Sequence, residues 1–234
     1  RQVVEQTNLL EERYKSHTET RELFSVSSQH YAFVVNAFVS LLKRADMTRY
    51  ELFLRETRTY EIIEDVKNFR SEIGVLFLNG YNRDVLTKMF DDNRLTYTSL
   101  FKARPHIFVS KSNPLAKHKV VSLEDLEDFP YLSYDQGIHN SFYYSEEILS
   151  QIPHKKSIVV SDRATLFNLL IGLDGYTIAT GILNSNLNGD NIVSIPLDVD
   201  DEIDIVYLKH QKATLSKMGE KFLDNLVKEV TFDN

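Results

Sequence analysis

Ser27, Ser28 and Gln29 stand between a short apolar run, Leu23–Val26, and apolar residues at helical spacing: Phe33, Val34, Ala37, Phe38, Leu41 and Leu42. A strand that ends in small hydroxyl residues and opens a helix leaves backbone N–H groups unpaired at the positive end of the helix dipole. That is a pocket for a carboxylate or another anion. One hydroxyl would serve as an N-cap; three consecutive polar residues exceed that need, so binding is favoured here, with capping compatible. Thr57, Arg58 and Thr59 follow a second strand, Tyr50–Arg55, on the sheet edge that ligands use in open α/β folds. Arg58 suits bidentate pairing with a carboxylate and equally suits an exposed surface position. Tyr134, Asp135, Gln136 and Gly137 close a strand at Tyr131–Tyr134, and Gly137 signals a tight turn that lets backbone approach a ligand. Two such loops predict two lobes facing a cleft, and hence small-molecule binding.

Enzyme chemistry finds little support. His30, His106, His118, His139 and His154 form no HExxH or other metal spacing. Ser27 and Ser28 lack the Gly-x-Ser-x-Gly context of a nucleophile elbow. Glu146-Glu147 and Asp200-Asp201 are adjacent pairs expected on solvated segments rather than opposed carboxylates. Without a Gly-rich phosphate loop or any cysteine, neither a cofactor nor a metal is expected.

The elements that must position these loops alternate. After Tyr50–Arg55 a helix places Ile62, Ile63, Val66 and Phe69 on one side. Ile73–Leu78 is a near-continuous apolar run, as for a strand covered on both faces. The order β-α-β-α-β predicts an open parallel sheet. Further strands are expected at Leu95–Leu100, His106–Val109, Ile158–Val160, Tyr176–Thr180 and Ile203–Leu208. Ser122 caps a short helix, with Asp125 completing a capping box. Asn140 or Ser141 caps a helix through Ile148, Ser161 or Asp162 caps Ala164–Leu170, and Met218–Val230 is the last helix. The alternation is interrupted in the middle and resumes, which fits two α/β lobes joined by two crossings. Arg1–Lys15 is a helix belonging to no obvious core; its Val3-to-Leu10 step suits either helix pairing or a frayed end.

Composition sets the bounds. The 234 residues suffice for one large or two small domains, and 42% hydrophobic with 26% charged residues is ordinary for a globular protein. No segment approaches the roughly 20 continuous apolar residues of a membrane span, and no charged-then-apolar leader opens this segment. Arg1 in place of Met suggests a piece of a longer chain. A net charge of −7 argues against this segment gripping nucleic acid, since phosphate binding needs a concentrated basic surface.

Several stretches resemble, in order and over nearly the whole chain, the effector-binding region of LysR-type bacterial transcription regulators. They are Glu56-Thr57-Arg58-Thr59 with Ile62, Val66 and Glu72-Ile73-Gly74-Val75; Pro105–Ala116, carrying Asn113-Pro114-Leu115-Ala116; Val121–Leu126; Asp162 through Leu169-Leu170-Ile171-Gly172-Leu173-Asp174-Gly175-Tyr176; and Ile195-Pro196-Leu197. Glu72 stands for the usual Asp, Phe69 where Gly is common, and Asp174 interrupts a Gly-Leu-Gly step. The resemblance implies two Rossmann-like α/β subdomains joined by two crossover strands, of the periplasmic binding protein type 2 kind, preceded by part of a linker helix. Residues 1–18 would be that linker remnant, 19–103 with 205–234 the first subdomain and 104–204 the second, with crossings near Lys102–Arg104 and Ile203–Asp204. It adds Thr180 and Gly181 to the cleft residues. It implies a cytoplasmic homodimer (Ala32–Arg44 of one subunit against Thr165–Gly172 of the other), tetrameric when full-length, that meets DNA through an N-terminal winged helix-turn-helix absent from this segment and meets no membrane. The effector expected is a small metabolite with a carboxylate: an amino acid, a sulfur metabolite or an organic acid. A solute-binding protein of an ABC-type uptake system shares the two-lobe plan and is the competing expectation.

Overall fold

The computed structural model describes residues 22–44, 50–183 and 189–231; the expected linker helix lies outside them. Two five-stranded sheets organise the chain. The first contains β1 (Glu22–Ser28), β2 (Tyr50–Glu56), β3 (Ile73–Leu78), β4 (Leu95–Ala103) and β10 (Ile203–His210), in the order β2-β1-β3-β10-β4. The second contains β5 (His106–Ser110), β6 (Tyr131–Tyr134), β7 (Ser157–Val160), β8 (Tyr176–Ala179) and β9 (Ile192–Pro196), in the order β7-β6-β8-β5-β9. The expected parallel pairing holds for β1 with β2 and β3. Each sheet is nevertheless mixed, because β10 runs antiparallel to β3 and β4, and β5 antiparallel to β8 and β9. The reversed strand is in each case the first that the chain enters after crossing from the other sheet.

Helices cover the sheets as their apolar stripes require: α1 (Ala32–Arg44), α2 (Thr59–Lys67), α3 (Arg83–Asp92), α4 (Arg163–Leu173) and α5 (Lys217–Thr231). β3 is buried at every position, as its unbroken apolar run predicts. Its alternate residues serve two cores. Ile73, Val75 and Phe77 pack with Phe24, Val34, Phe38 and Phe222 under α1 and α5. Leu76 and Leu78 pack with Ile62, Val66, Leu86 and Phe90 under α2 and α3. In the second sheet Phe108, Leu132, Val160 and Ile192 meet Leu166 and Leu170 of α4.

Two local expectations change and two are refined. The helix expected to end at Ile148 is only a 3-10 turn at Phe142–Tyr144; three consecutive aromatic residues favour helix weakly, and tertiary hydrogen bonds hold the residues that follow. Phe69 leaves the apolar stripe, because α2 ends at Lys67 and Phe69 turns left-handed at φ 56 with 62% of its surface exposed. Ser122 and Asp125 do exchange capping hydrogen bonds, Ser122 N–H to Asp125 Oδ2 at 2.8 Å and Asp125 N–H to Ser122 Oγ at 3.3 Å, but over a 3-10 turn at Glu124–Leu126. Asp162 rather than Ser161 caps α4, accepting from Thr165 N–H at 2.8 Å. Helix α3 is an element beyond those expected from the periodicity.

Candidate functional site

The loops after β1 and β2 in the first sheet and after β6 and β7 in the second face one another. Strand alternation sends consecutive side chains to opposite faces, and it separates Ser27 from Ser28. Ser27 is fully buried; its Oγ lies 2.6 Å from Asp65 Oδ2 and 2.7 Å from Ser71 Oγ, so it ties β1 to α2 and does not face the second lobe. The Ser28 Oγ is buried without a hydrogen-bond partner among the described residues. Gln29 is spent on the scaffold: its Nε2 donates to Thr59 Oγ1 at 2.6 Å, while its Oε1 accepts from Tyr31 Oη at 2.6 Å and Phe77 N–H at 3.1 Å.

A polar seam joins the two lobes at this edge. Arg58 Nε donates to the Asp135 carbonyl at 3.1 Å, and Nη2 lies 2.5 Å from Asp135 Oδ2. Asp135 also accepts from Gly137 N–H at 2.9 Å, and that bond first, then Arg58, holds its carboxyl below the usual range. Gly137 has φ +60, which favours glycine, and a Cβ there would stand 2.9 Å from Arg58 Nη1 and push on the guanidinium. Thr59 N–H donates to Gln136 Oε1 at 3.1 Å, and Gln136 Nε2 donates to Glu146 Oε1 at 3.0 Å. Thr57 bonds the Glu61 carboxylate within its own loop. Arg58, expected to receive a ligand carboxylate, instead grips one from the opposite lobe. Both side chains are over a third exposed, so the pair contributes more to alignment than to stability.

Beside the seam lies a cavity of about 40 Å³, bounded by His30–Phe33 and Phe77 of the first lobe, by Ile203 at the crossing into β10, and by Phe108, Tyr134, Glu146–Ile148, Arg163, Phe167, Thr177–Thr180 and Ile182 of the second. That volume admits a few water-sized groups, so a metabolite needs the lobes to part. Tyr134 and Thr180, both expected, line it. Gly181 does not: its φ is +82 and its α-carbon abuts the His106 ring, where a Cβ would meet Nδ1 at 2.5 Å.

The charged groups here were missed by sequence reasoning. Glu146 and Glu147, expected on a solvated segment, are 7% and 3% exposed. Glu146 Oε2 accepts from His30 N–H at 2.9 Å and lies 2.8 Å from His30 Nδ1. The anion position ahead of α1 is thus filled by the protein's own carboxylate. Burial opposes charge on the His30 ring, yet the hydrogen bond and attraction of Glu146 leave it easier to protonate than an ordinary histidine. Glu147 Oε1 accepts from Tyr134 N–H at 2.8 Å, while Oε2 has no hydrogen-bond partner among the described residues. Burial, then Glu146, pushes the Glu147 carboxyl well above the usual range. Across the cavity Arg163 Nε lies 3.2 Å from Glu56 Oε1. Two adjacent glutamates look like surface in any sequence; only Gln136, Tyr134 and the chain at His30, distant in sequence, bury them. Among the described residues no group of His, Asp or Glu is placed to hold a metal ion, and no helix is long and apolar enough to cross a membrane.

Comparison with known proteins agrees with this plan. The sequence profile of the LysR substrate binding domain matches residues 27–231. The reduced form of the OxyR regulatory domain from Pseudomonas aeruginosa superposes with a TM-score of 0.63 at 12% identity, covering 90% of this chain and 100% of that one. The effector binding domain of QuiR in complex with shikimate gives 0.58 at 16% identity, covering 89% and 97%. HinK, a LysR family transcriptional regulator from Pseudomonas aeruginosa, gives 0.59 at 14% identity, covering 97% and 77%. At these identities the superpositions speak for the fold alone. No curated protein matches the chain significantly by sequence.

Proposed function

Because this chain belongs to the LysR substrate-binding domain family, matched over residues 27–231, we propose that it is the effector-sensing part of a bacterial transcription regulator. A small metabolite held between the two sheets would act by binding two arrangements of the lobes or subunits unequally, since a ligand shifts an equilibrium only by its differential affinity. One observation carries this reading: loops of both sheets converge on one cavity whose walls hold buried polar groups from each lobe. The first subdomain in this reading comprises residues 19–103 and 205–234, and the second 104–204. Tyr134 and Thr180 touch the effector. Ser28, Gln29, Thr57, Arg58, Thr59, Asp135, Gln136 and Gly137 set how the lobes close over it, and Ser27 holds α2 in place behind them. The regulator works as a dimer, α1 of one subunit against α4 of the other, and reads DNA through a part outside this segment. Of the two expectations from sequence, regulator and uptake-system binding protein, the family match supports the regulator.

The test is a thermal-shift screen of amino acids, their sulfur-containing relatives and small organic acids, on this chain and on Ala179→Trp, which fills the cavity. A metabolite at about 100 times its Kd adds roughly 2.7 kcal/mol of stability. Stabilisation of the parent chain but not of Ala179→Trp is the expected result. Equal stabilisation of both would place the site elsewhere and sink the cleft reading.

A further inference from the structure

Among the described residues, the charged groups around the cavity stand in ion pairs with one exception. His30 stands 2.8 Å from Glu146, and Arg163 stands 3.2 Å from Glu56. Glu147 has neither: one oxygen takes a backbone N–H, and the other, in a side chain that lines the cavity and is 3% exposed as a residue, has no hydrogen-bond partner among the described residues. A buried polar atom without a partner is unfavourable and uncommon in native proteins, and an absent ligand is one reason for keeping it. Much of the rest of the wall is apolar, with Phe33, Phe77, Phe108, Phe167 and Ile182 prominent beside the polar Tyr31, Tyr134, Thr177 and Thr180.

Building on the reading of this cavity as the effector site, we propose that the effector carries a cationic amine on an apolar body, its ammonium received by Glu147 and its body by the phenylalanines. An anionic head group would have to displace Glu146 from the His30 N–H and would then confront Glu147 as well. An ammonium displaces nothing and supplies the cation that the third carboxyl lacks. The side chains facing Glu147 are Glu146, Tyr31, Tyr131 and Tyr134, and the backbone N–H groups of Tyr134, Glu146 and Glu147 also act on its carboxyl; none of these brings a full positive charge. Burial and the neighbouring Glu146 disfavour charge on Glu147 without a ligand; an entering ammonium favours the carboxylate, and the proton displaced as the ion pair forms goes to solvent. Affinity for an amine therefore tightens as pH rises, until the amine itself deprotonates near pH 10.

Calorimetric titration with three probes that share a phenyl ring and a three-carbon chain, 3-phenylpropylamine, 3-phenylpropanoate and 3-phenylpropanol, tests this between pH 6 and 9. Propylamine and hexylamine serve as smaller and longer amines. An amine is expected to bind at least about tenfold more tightly than the acid or the alcohol, the scale of one charge-assisted hydrogen bond. Glu147→Gln keeps the acceptor for the Tyr134 N–H and cannot ionise, so it should fold, lose about tenfold in amine affinity and lose the pH dependence. Acid or alcohol binding as well as the amine, an amine affinity unchanged in Glu147→Gln, or no binding by any of the three amines overturns the proposal. Ala179→Trp separates the two readings. Binding of the acid alone, abolished in Ala179→Trp, keeps the cleft as the effector site and removes the cationic head group. Amine binding that survives Ala179→Trp overturns both.

Discussion

The Glu147 carboxyl is harder to ionise in the folded chain than in the unfolded one, because burial and the neighbouring Glu146 disfavour its charge. The native state then binds more protons than the unfolded state, so stability falls as pH rises above the ordinary glutamate value of about 4.3, by up to about 1.4 kcal/mol per pH unit, until the raised native value is reached. Glu147→Gln removes this term. The variant is expected to gain on the parent in Tm as pH rises above the ordinary glutamate value, and thermal melts at a series of pH values measure it; a constant difference would mean that folding does not raise the Glu147 carboxyl. Ser27 and Gln29 show the other side of residue-scale reading. Their polar character was visible in the sequence, but their commitment to Asp65, Ser71, Thr59 and Phe77 depends on which face of β1 each occupies and on what packs there.

Among elements, the end of α2 carries a testable strain. Arg70 N–H bonds the Asp65 carbonyl at 2.8 Å and Phe69 N–H the Val66 carbonyl at 3.2 Å, which together make a Schellman turn with Phe69 at the left-handed position where glycine is usual. A side chain there costs about 1–2 kcal/mol, and glycine returns part of that gain through the entropy of the unfolded chain, about 0.5–1 kcal/mol. Phe69→Gly should therefore stabilise the chain by about 0.5–1 kcal/mol, or about 2 °C in Tm, whereas Phe69→Ala should not. If both variants lower Tm, the contact of Phe69 with the His210 ring, 4.4 Å between centroids, outweighs the backbone strain. Strand β3 and the helical stripes of α1 and α2 were readable because apolar periodicity reports burial directly. The segment from His139 to Glu147 was not, because its order comes from partners far away: the His139 ring stacks on Tyr60, Tyr143 on Tyr81, and Glu146 bonds His30. Residues expected to form a helix with solvated glutamates thereby become a strap from the second lobe across the first.

For the whole molecule, the two crossings that deliver β5 and β10 in reverse make the lobes separate sheets with their loops opposed, and the strap and seam hold them together in the form described. The two-lobe plan followed from the interrupted alternation of elements, and the family likeness supplied its details. The charged wall of the cavity followed from neither, since His30, Glu146, Glu147 and Arg163 meet only after folding. The proposed dimer belongs to this scale as well. Val35 and Val39 on α1 are half-buried in the single chain, and Ile171 and Leu173 on α4 are exposed, the kind of apolar surface that subunit contacts cover. Val39→Glu is expected to convert a dimer to a monomer in sedimentation equilibrium without lowering cooperativity of unfolding; an unchanged mass would exclude that surface. The central claim is that an effector sits between the two sheets, and a crystal structure of the chain with the first stabilising metabolite bound tests it most directly. The account predicts the metabolite in contact with Tyr134 and Thr180, with Glu147 Oε2 newly partnered. A metabolite bound outside the cleft, with Glu147 Oε2 still without a partner, would contradict it.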